Sequence, residues 1–402
     1  PLLWRALSAV AGAAGPKYII TISDPIGHYR WTVLEKRKVQ LIGGSTYIVS
    51  LPKKWVKKVG IRKSSDVALL GQRNGTLVLV PEVGSLAGRK EESVNVSPRT
   101  PARWVARSII SKYLNGSDRI TVVCRGGKLT PVQISELKKV ERKLVGLETV
   151  EESESKVILE SMLKIGDLEV WKGIARTHMI ASLMQKEAIE ALISRDPSIA
   201  ENAIRRDDDV DRLYFLGLRQ LRQAASNPAV APSLGLTPIE CLDLQSVIKR
   251  IEHIADHAQS IAVNVKRLAG SEIDREILDD LAKINKMAQD IHEGAGKALT
   301  QGDLNLANSV VNQRARMKEF CSEFRKRLHG IDVSVNVRIN AIVESLERIA
   351  DYGTDIAEVA INRSAAGCAN PRGEGVAGEG HEETGRAQGP TSALVRGANT
   401  SQ

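Results

Sequence analysis

The sequence has few aromatic side chains and no long apolar run. Aromatic residues make up 3% of the 402 residues, whereas charged residues make up 26%. Sheet-rich folds usually contain more aromatic residues than this, so the composition favours a largely helical protein. No stretch approaches the roughly 18 to 20 consecutive apolar residues that a membrane-spanning helix needs. We therefore expect a chain that is not embedded in a membrane.

Cysteine is also scarce, and the four cysteines are isolated from one another. Cys124, Cys241, Cys321 and Cys368 form no C-x-x-C pair, and no histidines follow at zinc-finger spacing. This pattern indicates neither a disulfide framework nor a structural zinc, and it predicts a reducing, cytoplasmic location. The sequence also lacks a nucleophile triad, a P-loop and a dinucleotide fingerprint. We therefore expect that the protein is not an enzyme.

The basic charge is concentrated near the N-terminus. The chain carries a formal net charge of +9. The segment from Lys36 to Glu82 contains ten basic residues and only two acidic ones. A local excess of this kind predicts a polyanionic partner. At 402 residues the chain exceeds one usual hydrophobic core, so we expect two or three domains.

A twelve-residue segment occurs twice, which indicates a duplicated unit. Residues 251–262 read IEHIADHAQSIA, and residues 346–357 read LERIADYGTDIA. On a helix, each copy places a stripe of small apolar residues toward a core, with two acids beside it. Like charges one turn apart repel each other, so the same pair in both copies suggests that a cation offsets the repulsion.

The acids therefore form the candidate metal site. Asp207 and Asp211 repeat the spacing on a neighbouring helix, and antiparallel helices in a bundle lie within about 8 to 10 Å. Carboxylate oxygens favour hard cations such as iron, manganese or magnesium over zinc. The alternative is a solvated helix edge paired with Arg250 or Arg348. The predicted ligands are Asp207, Asp211, Glu252, Asp256, Glu347 and Asp351.

These twin acidic helices resemble the PhoU family of phosphate-uptake regulators. The resemblance covers residues 167–363 and implies two tandem three-helix bundles, at 167–270 and 271–363, with metal on the acidic motifs. It further implies a role in phosphate homeostasis, contact with phosphate transporter components and possible binding of inorganic phosphate. Sliding the second repeat onto the first aligns Arg314 with Asp207 and Lys318 with Asp211. We therefore expect Arg314 and Lys318 to neutralise the second acid pair without metal.

The basic segment at 33–83 predicts a small β-rich domain. Alternating apolar residues flank Gly43-Gly44 and again Asn74-Gly75, which indicates two hairpins, and Pro52 opens a short helix that buries Trp55, Val56 and Val59. The segment STYIVSLPKKW resembles the AbrB/SpoVT-type swapped-hairpin DNA-binding domain. A domain this small rarely buries enough surface alone, so we expect a homodimer. The predicted DNA contacts are Lys36, Arg37, Lys38, Lys53, Lys54 and Lys57.

Three further segments complete the domain plan. Residues 90–162 follow the order βαβαββ and predict a small α+β domain without assigned chemistry. Residues 1–32 are predicted to be a disordered or non-native extension, and residues 364–402 a disordered tail. Within the bundles, Asp167 is expected to cap the first long helix.

Taken together, the sequence predicts a mainly α protein and a cytoplasmic, dimeric, DNA-binding transcriptional regulator with a metal-binding sensor. Two alternatives stay open. A carboxylate-bridged di-metal enzyme is built on similar bundles, but it needs Glu-x-x-His pairs, and His253 and His257 lie at the wrong spacing. A nucleoid-type DNA-binding protein without phosphate sensing is the other alternative.

Overall fold

The computed structural model describes residues 18–22, 29–33, 36–71, 75–81, 90–163, 168–227 and 230–365. The chain divides into two compact units. The first consists of Pro1–Arg142, Gly146–Lys164 and Ser226–Gly235, and the second of Lys143–Val145, Ile165–Ala225 and Leu236–Gln402.

The N-terminal part of the first unit is built from short hairpins and one helix. Three antiparallel pairs form, between β1 and β2, β3 and β4, and β5 and β6. Their bounds are β1 Tyr18–Ile22, β2 Tyr29–Val33, β3 Gln40–Ile42, β4 Thr46–Ile48, β5 Val67–Gly71 and β6 Leu77–Pro81, and helix α1 spans Lys53–Val59. The two hairpins predicted for residues 33–83 are thus confirmed.

Glycines with positive φ make the turns and the helix end in this region. Gly43 and Gly44 have φ angles of 61° and 79°, a backbone region that side-chain-bearing residues rarely adopt. Gly60, at φ 78°, ends α1 in the left-handed conformation, as the sequence predicted.

That residues 1–32 are a disordered or non-native extension stays a prediction, although β1 and β2 pair within residues 18–33. Another expectation for this region needs correction. Helix α1 was expected to bury Trp55, Val56 and Val59, but none of its residues is fully buried. The physical reason is size, because one copy of so short a segment has too few neighbouring atoms to cover a helix.

Residues 90–162 form the predicted α+β domain. A four-stranded sheet has the order β7-β8-β10-β9, with β7 parallel to β8 and the remaining pairs antiparallel. Val105, Ile109 and Tyr113 of α2 are fully buried together with Ile120 and Val122 of β8. The elements are β7 Glu91–Val96, α2 Ala102–Leu114, β8 Arg119–Cys124, α3 Pro131–Lys143, β9 Leu147–Glu152 and β10 Lys156–Ser161.

The second unit consists of long helices arranged as two tandem three-helix bundles, which confirms the predicted fold class. The first bundle contains α4 Val170–Ser194, α5 Pro197–Ser226 and α6 Pro238–Leu268. The second contains α7 Arg275–Gln301, α8 Leu304–Arg327 and α9 Val333–Ala365. A short 3-10 helix, Pro232–Leu234, precedes α6 in the sequence. None of the helices in the described part of the chain combines the length and the hydropathy of a membrane-spanning segment.

Local capping explains where several of these helices begin. Thr237 and Glu240 form a reciprocal capping box at the start of α6, and the Asp303 side chain accepts from the backbone of Leu306 at the start of α8. Helix α4 begins after Glu169 rather than at Asp167. Glu169 is the N-cap residue and makes no side-chain cap hydrogen bond, and the predicted cap, Asp167, lies outside the described residues.

The duplicated small-residue stripes form the core of the second unit. The stripe of α6 (Ile251, Ala255, Ala258 and Ala262) and that of α9 (Leu346, Ala350, Gly353 and Ala357) are buried. Gly353 is required there, because a Cβ at this position would lie 2.8 Å from the Cα of His292 on α7. Helix α9 ends at Ala365, and the rest of the predicted tail lies outside the described residues.

Candidate functional sites

The structure brings the four acids of the first bundle close enough to influence one another. Asp207 and Asp211 lie on α5, and Glu252 and Asp256 lie on α6. Burial raises the pKa of Asp207 to about 6, and the carboxylates of Asp211 and Asp256 contribute to this rise. Partial burial likewise raises the pKa of Asp256 to about 6, with contributions from Glu252 and Asp211, although Asp256 as a residue remains exposed.

Three polar groups partly satisfy these carboxylates. Lys143, which belongs to the second unit, donates to Asp211 with 2.6 Å between Nζ and Oδ2. Lys249 pairs with Glu252 at 2.7 Å, and the amide of Gln259 donates to Asp207 at 2.7 Å. Because only two of the three groups are cationic, the four acids retain an excess of negative charge.

The acids do not converge as a finished ligand sphere. Among the residues that the structure describes, no three His, Cys, Asp or Glu side chains are arranged so that they could hold a metal ion. What the crowded carboxylates of the first bundle do offer is a set of oxygen donors, the kind that a hard cation prefers, and an excess of negative charge that such a cation would offset.

The second bundle pairs its two acids with arginines. Arg314 of α8 donates from Nε to Asp351 at 2.5 Å. Arg325 of α8 holds Glu347 through two hydrogen bonds of 3.1 and 2.6 Å, a fork geometry that lysine cannot provide. Glu347 and Asp351 therefore have cationic partners from the protein itself, and these residues do not fit a metal ion.

One of the two expected cations is therefore wrong. Arg314 contacts Asp351 as expected, but Glu347 is held by Arg325, whereas Lys318 is exposed. Sequence reasoning missed Arg325, although a signal was present. Eleven residues separate Arg314 from Arg325, which is close to three helical turns and places both side chains on one face of α8. Burial raises the pKa of the intervening Cys321 thiol to about 12, and the adjacent Glu347 contributes to this rise.

The histidines beside the first acid pair contact the other repeat. The ring centroid of Tyr352 lies 4.9 Å from that of His253 and 5.8 Å from that of His257. Burial lowers the pKa of both imidazoles. His253 also lies 3.7 Å from Glu252, which is beyond hydrogen-bonding distance.

The candidate DNA-binding residues lie on the surface of the first unit. Lys53, Lys54 and Lys57 of α1 are exposed, as is Lys58 on the same helix. The basic run Lys36, Arg37 and Lys38, which precedes β3, is exposed as well. Several apolar side chains within or next to strands β3 and β4 also face solvent. Their exposed fractions are 64% for Val39, 54% for Leu41, 74% for Tyr47 and 47% for Val49.

Two protein-family models match the chain, one in the helical bundles and one in the basic N-terminal domain. The PhoU domain model matches residues 174–265 and again residues 281–360. The chain contains two PhoU domains. A second model, described as the antidote-toxin recognition domain MazE of bacterial antitoxins, matches residues 40–86. A MazE/AbrB-like domain therefore precedes the PhoU domains, which confirms both resemblances predicted from the sequence.

Individual similar proteins each align with about half of this chain. A protein of Clostridium acetobutylicum named phosphate-specific transport system accessory protein PhoU homolog is 24% identical over 208 residues, or 48% of this chain and 90% of the relative. The crystal structure of PhoU from Pseudomonas aeruginosa aligns at 19% identity and a TM-score of 0.45, over 49% of this chain and 96% of that one. The phosphate transport system regulatory protein PhoU from Streptococcus pneumoniae aligns at 19% identity and a TM-score of 0.43, over 50% and 94% of the two chains.

Proposed function

We propose that the protein is a cytoplasmic, DNA-binding transcriptional regulator of phosphate uptake, in which the PhoU domains form the sensor. The observation that carries this proposal is the presence of two PhoU domains on the same chain as a basic MazE/AbrB-like domain. The named relative is an accessory protein of a phosphate-specific transport system. Phosphate status is therefore the input, and occupancy of DNA is the output.

DNA binding is supported by the charge on α1. Four of its seven residues are exposed lysines, and such a cluster is attracted to the phosphate backbone of a duplex. Lysine makes point-charge contacts rather than the paired hydrogen bonds by which arginine reads guanine. These lysines thus position the protein on the duplex, and other groups of the protein recognise the base sequence.

A homodimer is supported by the apolar surface of the same domain. Val39, Leu41, Tyr47 and Val49 are each about half exposed or more in a single chain. Contiguous apolar surface on a soluble domain usually marks an interface, and α1 has no fully buried residue. A second copy of this domain covers these side chains and completes its core.

Metal binding in the first bundle is supported by the crowded acids. Asp207, Asp211, Glu252 and Asp256 would hold the ion, which is iron, manganese or magnesium. When bound, such an ion would supply positive charge that attracts inorganic phosphate. The arginine pairs of the second bundle replace a metal at Glu347 and Asp351.

A regulatory rather than enzymatic role follows from the same residues. Di-metal oxidation enzymes of the helical-bundle type use Glu-x-x-His pairs as ligands, whereas His253 and His257 contact Tyr352. The partners of the protein are then DNA, inorganic phosphate and components of the phosphate transporter.

A genome-wide DNA-binding map in cells grown with high and low phosphate tests this proposal. The expected result is a small set of sites beside phosphate-uptake genes, with an occupancy that changes with phosphate supply. Uniform coverage of the chromosome that ignores phosphate would instead identify a nucleoid-type protein and reject the regulator. Elemental analysis of the purified full chain measures its metal content.

A further inference from the structure

Four exposed arginines of the α+β domain lie on α2, just before it and just after β8. We call them the arginine surface, and they are Arg99, Arg103, Arg107 and Arg125. In the part of the chain that the structure describes, no carboxylate forms an ion pair with any of them. Two lysines of the same domain are different, because Lys112 pairs with Glu92 and Lys128 pairs with Glu154. The arginine surface therefore carries positive charge that the domain does not compensate.

The fold brings together the two loops that carry Arg99 and Arg125. Strands β7 and β8 are adjacent and parallel, so their carboxyl ends lie at the same edge of the sheet. The backbone N–H of Arg125 donates to the carbonyl of Val96, the last residue of β7, at 2.8 Å. A Cβ on Gly127 would lie 2.8 Å from Cγ of Pro98, so the two loops are in direct contact. Both arginines thus lie at the edge of the sheet from which α2 begins.

A buried glutamine of α3 fixes the loop before α2. The Gln133 amide donates to the carbonyls of Ser97 and Thr100, at 3.0 and 2.8 Å. The Thr100 hydroxyl accepts from the backbone N–H of Ser97 at 2.9 Å. Arg125 is fixed separately, because its Nε donates to the side chain of Asn95 at 3.0 Å. The backbone that carries the arginines is therefore held in place before any partner binds, which lowers the cost of binding.

The arginine surface has the chemistry of a nucleic-acid contact. An arginine presents five N–H donors in a planar fork that matches the oxygens of a phosphate group. Arg103 and Arg107 lie one turn apart on α2, on the same face of the helix. Every residue of α2 is described, and Trp104 is its one large apolar side chain that is exposed. A helix that binds a lipid surface presents a whole apolar face, so the charge favours a nucleic acid.

We propose that the arginine surface binds the phosphate backbone of duplex DNA, as a contact separate from that of the α1 lysines. This inference rests on the proposed DNA-binding function, and both contacts belong to the first unit of the chain. It gives a role to the α+β domain, for which the sequence predicted no chemistry. Each arginine that neutralises a phosphate group increases the affinity and its dependence on salt.

Fluorescence anisotropy with the full chain and a labelled duplex of mixed sequence, over a series of salt concentrations, tests the proposal. Arg103→Gln with Arg107→Gln removes two cations from α2. This variant should reduce the logarithmic salt slope by about 1.8, from about 0.9 for each lost phosphate contact, and weaken binding at least about tenfold. Lys138→Gln with Arg142→Gln is the matched control, because it makes the same change of charge at two exposed positions one turn apart on α3. The control should leave the slope unchanged.

Two further variants separate the possible results. Arg99→Gln with Arg125→Gln changes only loop residues, so a reduced slope there supports the proposal even if the α2 variant folds poorly. Lys53→Glu with Lys54→Glu tests α1 alone. If the α1 variant loses slope and both arginine variants keep it, the arginine surface does not contact DNA, whereas the proposed function stands. A full chain that binds no DNA would reject the proposed function together with this contact.

Two other results would also overturn the proposal. Equal loss of slope in the α2 variant and in its α3 control would show that net charge, and not the arginine surface, determines binding. Co-sedimentation with phosphatidylglycerol vesicles tests the lipid alternative. An α2 variant that no longer binds these vesicles, but keeps the wild-type salt slope for DNA, would identify the arginine surface as a lipid contact.

Discussion

Arg314 on α8 pairs with Asp351 on α9, with 2.5 Å between Nε and Oδ1. When the two repeats are aligned through ALISRD and ALTQGD, Arg314 occupies the position of Asp207. Asp207 has the opposite charge, and its pKa is raised to about 6 by burial and by neighbouring carboxylates. The two PhoU domains therefore differ at their acids. The acids of the second bundle are paired with arginines, whereas the four acids of the first bundle have two lysine partners.

The first prediction concerns metal content. Asp207→Ala combined with Asp256→Ala should remove most of the bound metal, because two of the four carboxylates are removed. Asp351→Ala should leave the metal content unchanged and lower the free energy of unfolding by about 1–2 kcal/mol, since Arg314 is left without its charged partner. Elemental analysis at matched protein concentration measures the first effect, and denaturant unfolding the second. Equal loss of metal from both proteins would contradict the asymmetry.

The second prediction concerns the cation that holds Glu347. Arg325→Met should destabilise the second bundle by roughly 2 kcal/mol, because it removes two charge-assisted hydrogen bonds and leaves the carboxylate beside Cys321. Lys318→Met is the matched control on the same helix, and its effect should stay within about 0.5 kcal/mol. Hydrogen exchange of α8 and α9 amides reports the stability of this bundle separately. A larger effect at Lys318 than at Arg325 would refute the assignment.

The helices and strands of this protein could be predicted from its sequence better than the partners of its side chains. The duplicated stripe around Ala255 and Ala350 predicted the buried helix faces, because helical period and residue size act locally. The partner of Glu347 depends on how far apart α8 and α9 lie and on side-chain reach, which repeat alignment does not encode. The contact of His178 on α4 with His292 on α7, with 3.0 Å between Nε2 and Nδ1, was missed for the same reason, since 114 residues separate its members.

The burial of Trp55 was predicted wrongly for a different reason. The spacing of apolar residues shows which face of α1 is suited to packing against a hydrophobic core. It does not show whether the same chain supplies that core. In one chain α1 has no fully buried residue, so the pattern describes a face that this chain leaves partly exposed and that the proposed homodimer would cover. Local patterns cannot distinguish these two cases.

The third prediction concerns DNA binding by the full chain. Lys53→Glu with Lys54→Glu should weaken binding to duplex DNA and flatten its salt dependence, by about 0.9 in the logarithmic slope for each phosphate that the protein no longer neutralises. Arg316→Glu with Lys318→Glu makes the same change of charge on the exposed face of α8 and serves as the control. Fluorescence anisotropy between low and moderate salt measures both slopes. If the two double variants behave alike, net charge rather than α1 determines binding.

The fourth prediction concerns pH and the buried imidazoles. Burial lowers the pKa of both His178 and His292. The neighbouring His178 ring lowers the pKa of His292 further. At His178, the Glu293 carboxylate and a hydrogen bond to the backbone of His292 oppose the lowering. The unfolded chain then binds protons more readily than the folded chain once the pH falls below the ordinary histidine pKa of about 6.5. The contribution of these neutral rings to stability is complete above that pH and declines below it.

Thermal unfolding between pH 7.5 and pH 5 measures this decline. We expect a steeper fall of the melting temperature in the wild type than in a His178→Phe, His292→Leu variant, which lacks both buried imidazoles. Comparing the slopes removes the contribution of the acids, which titrate in both proteins. Parallel curves would show that the pair is not neutral in the folded protein.

The central claim is that phosphate acts on DNA binding through the acids of the first PhoU domain. The most direct measurement is the affinity of the metal-loaded full chain for one of its mapped DNA sites, with and without inorganic phosphate. We predict a change of at least about fivefold, the lower end of typical coupling between sites, and its disappearance in the Asp207→Ala, Asp256→Ala variant. An affinity that phosphate leaves unchanged in the wild type would contradict the claim.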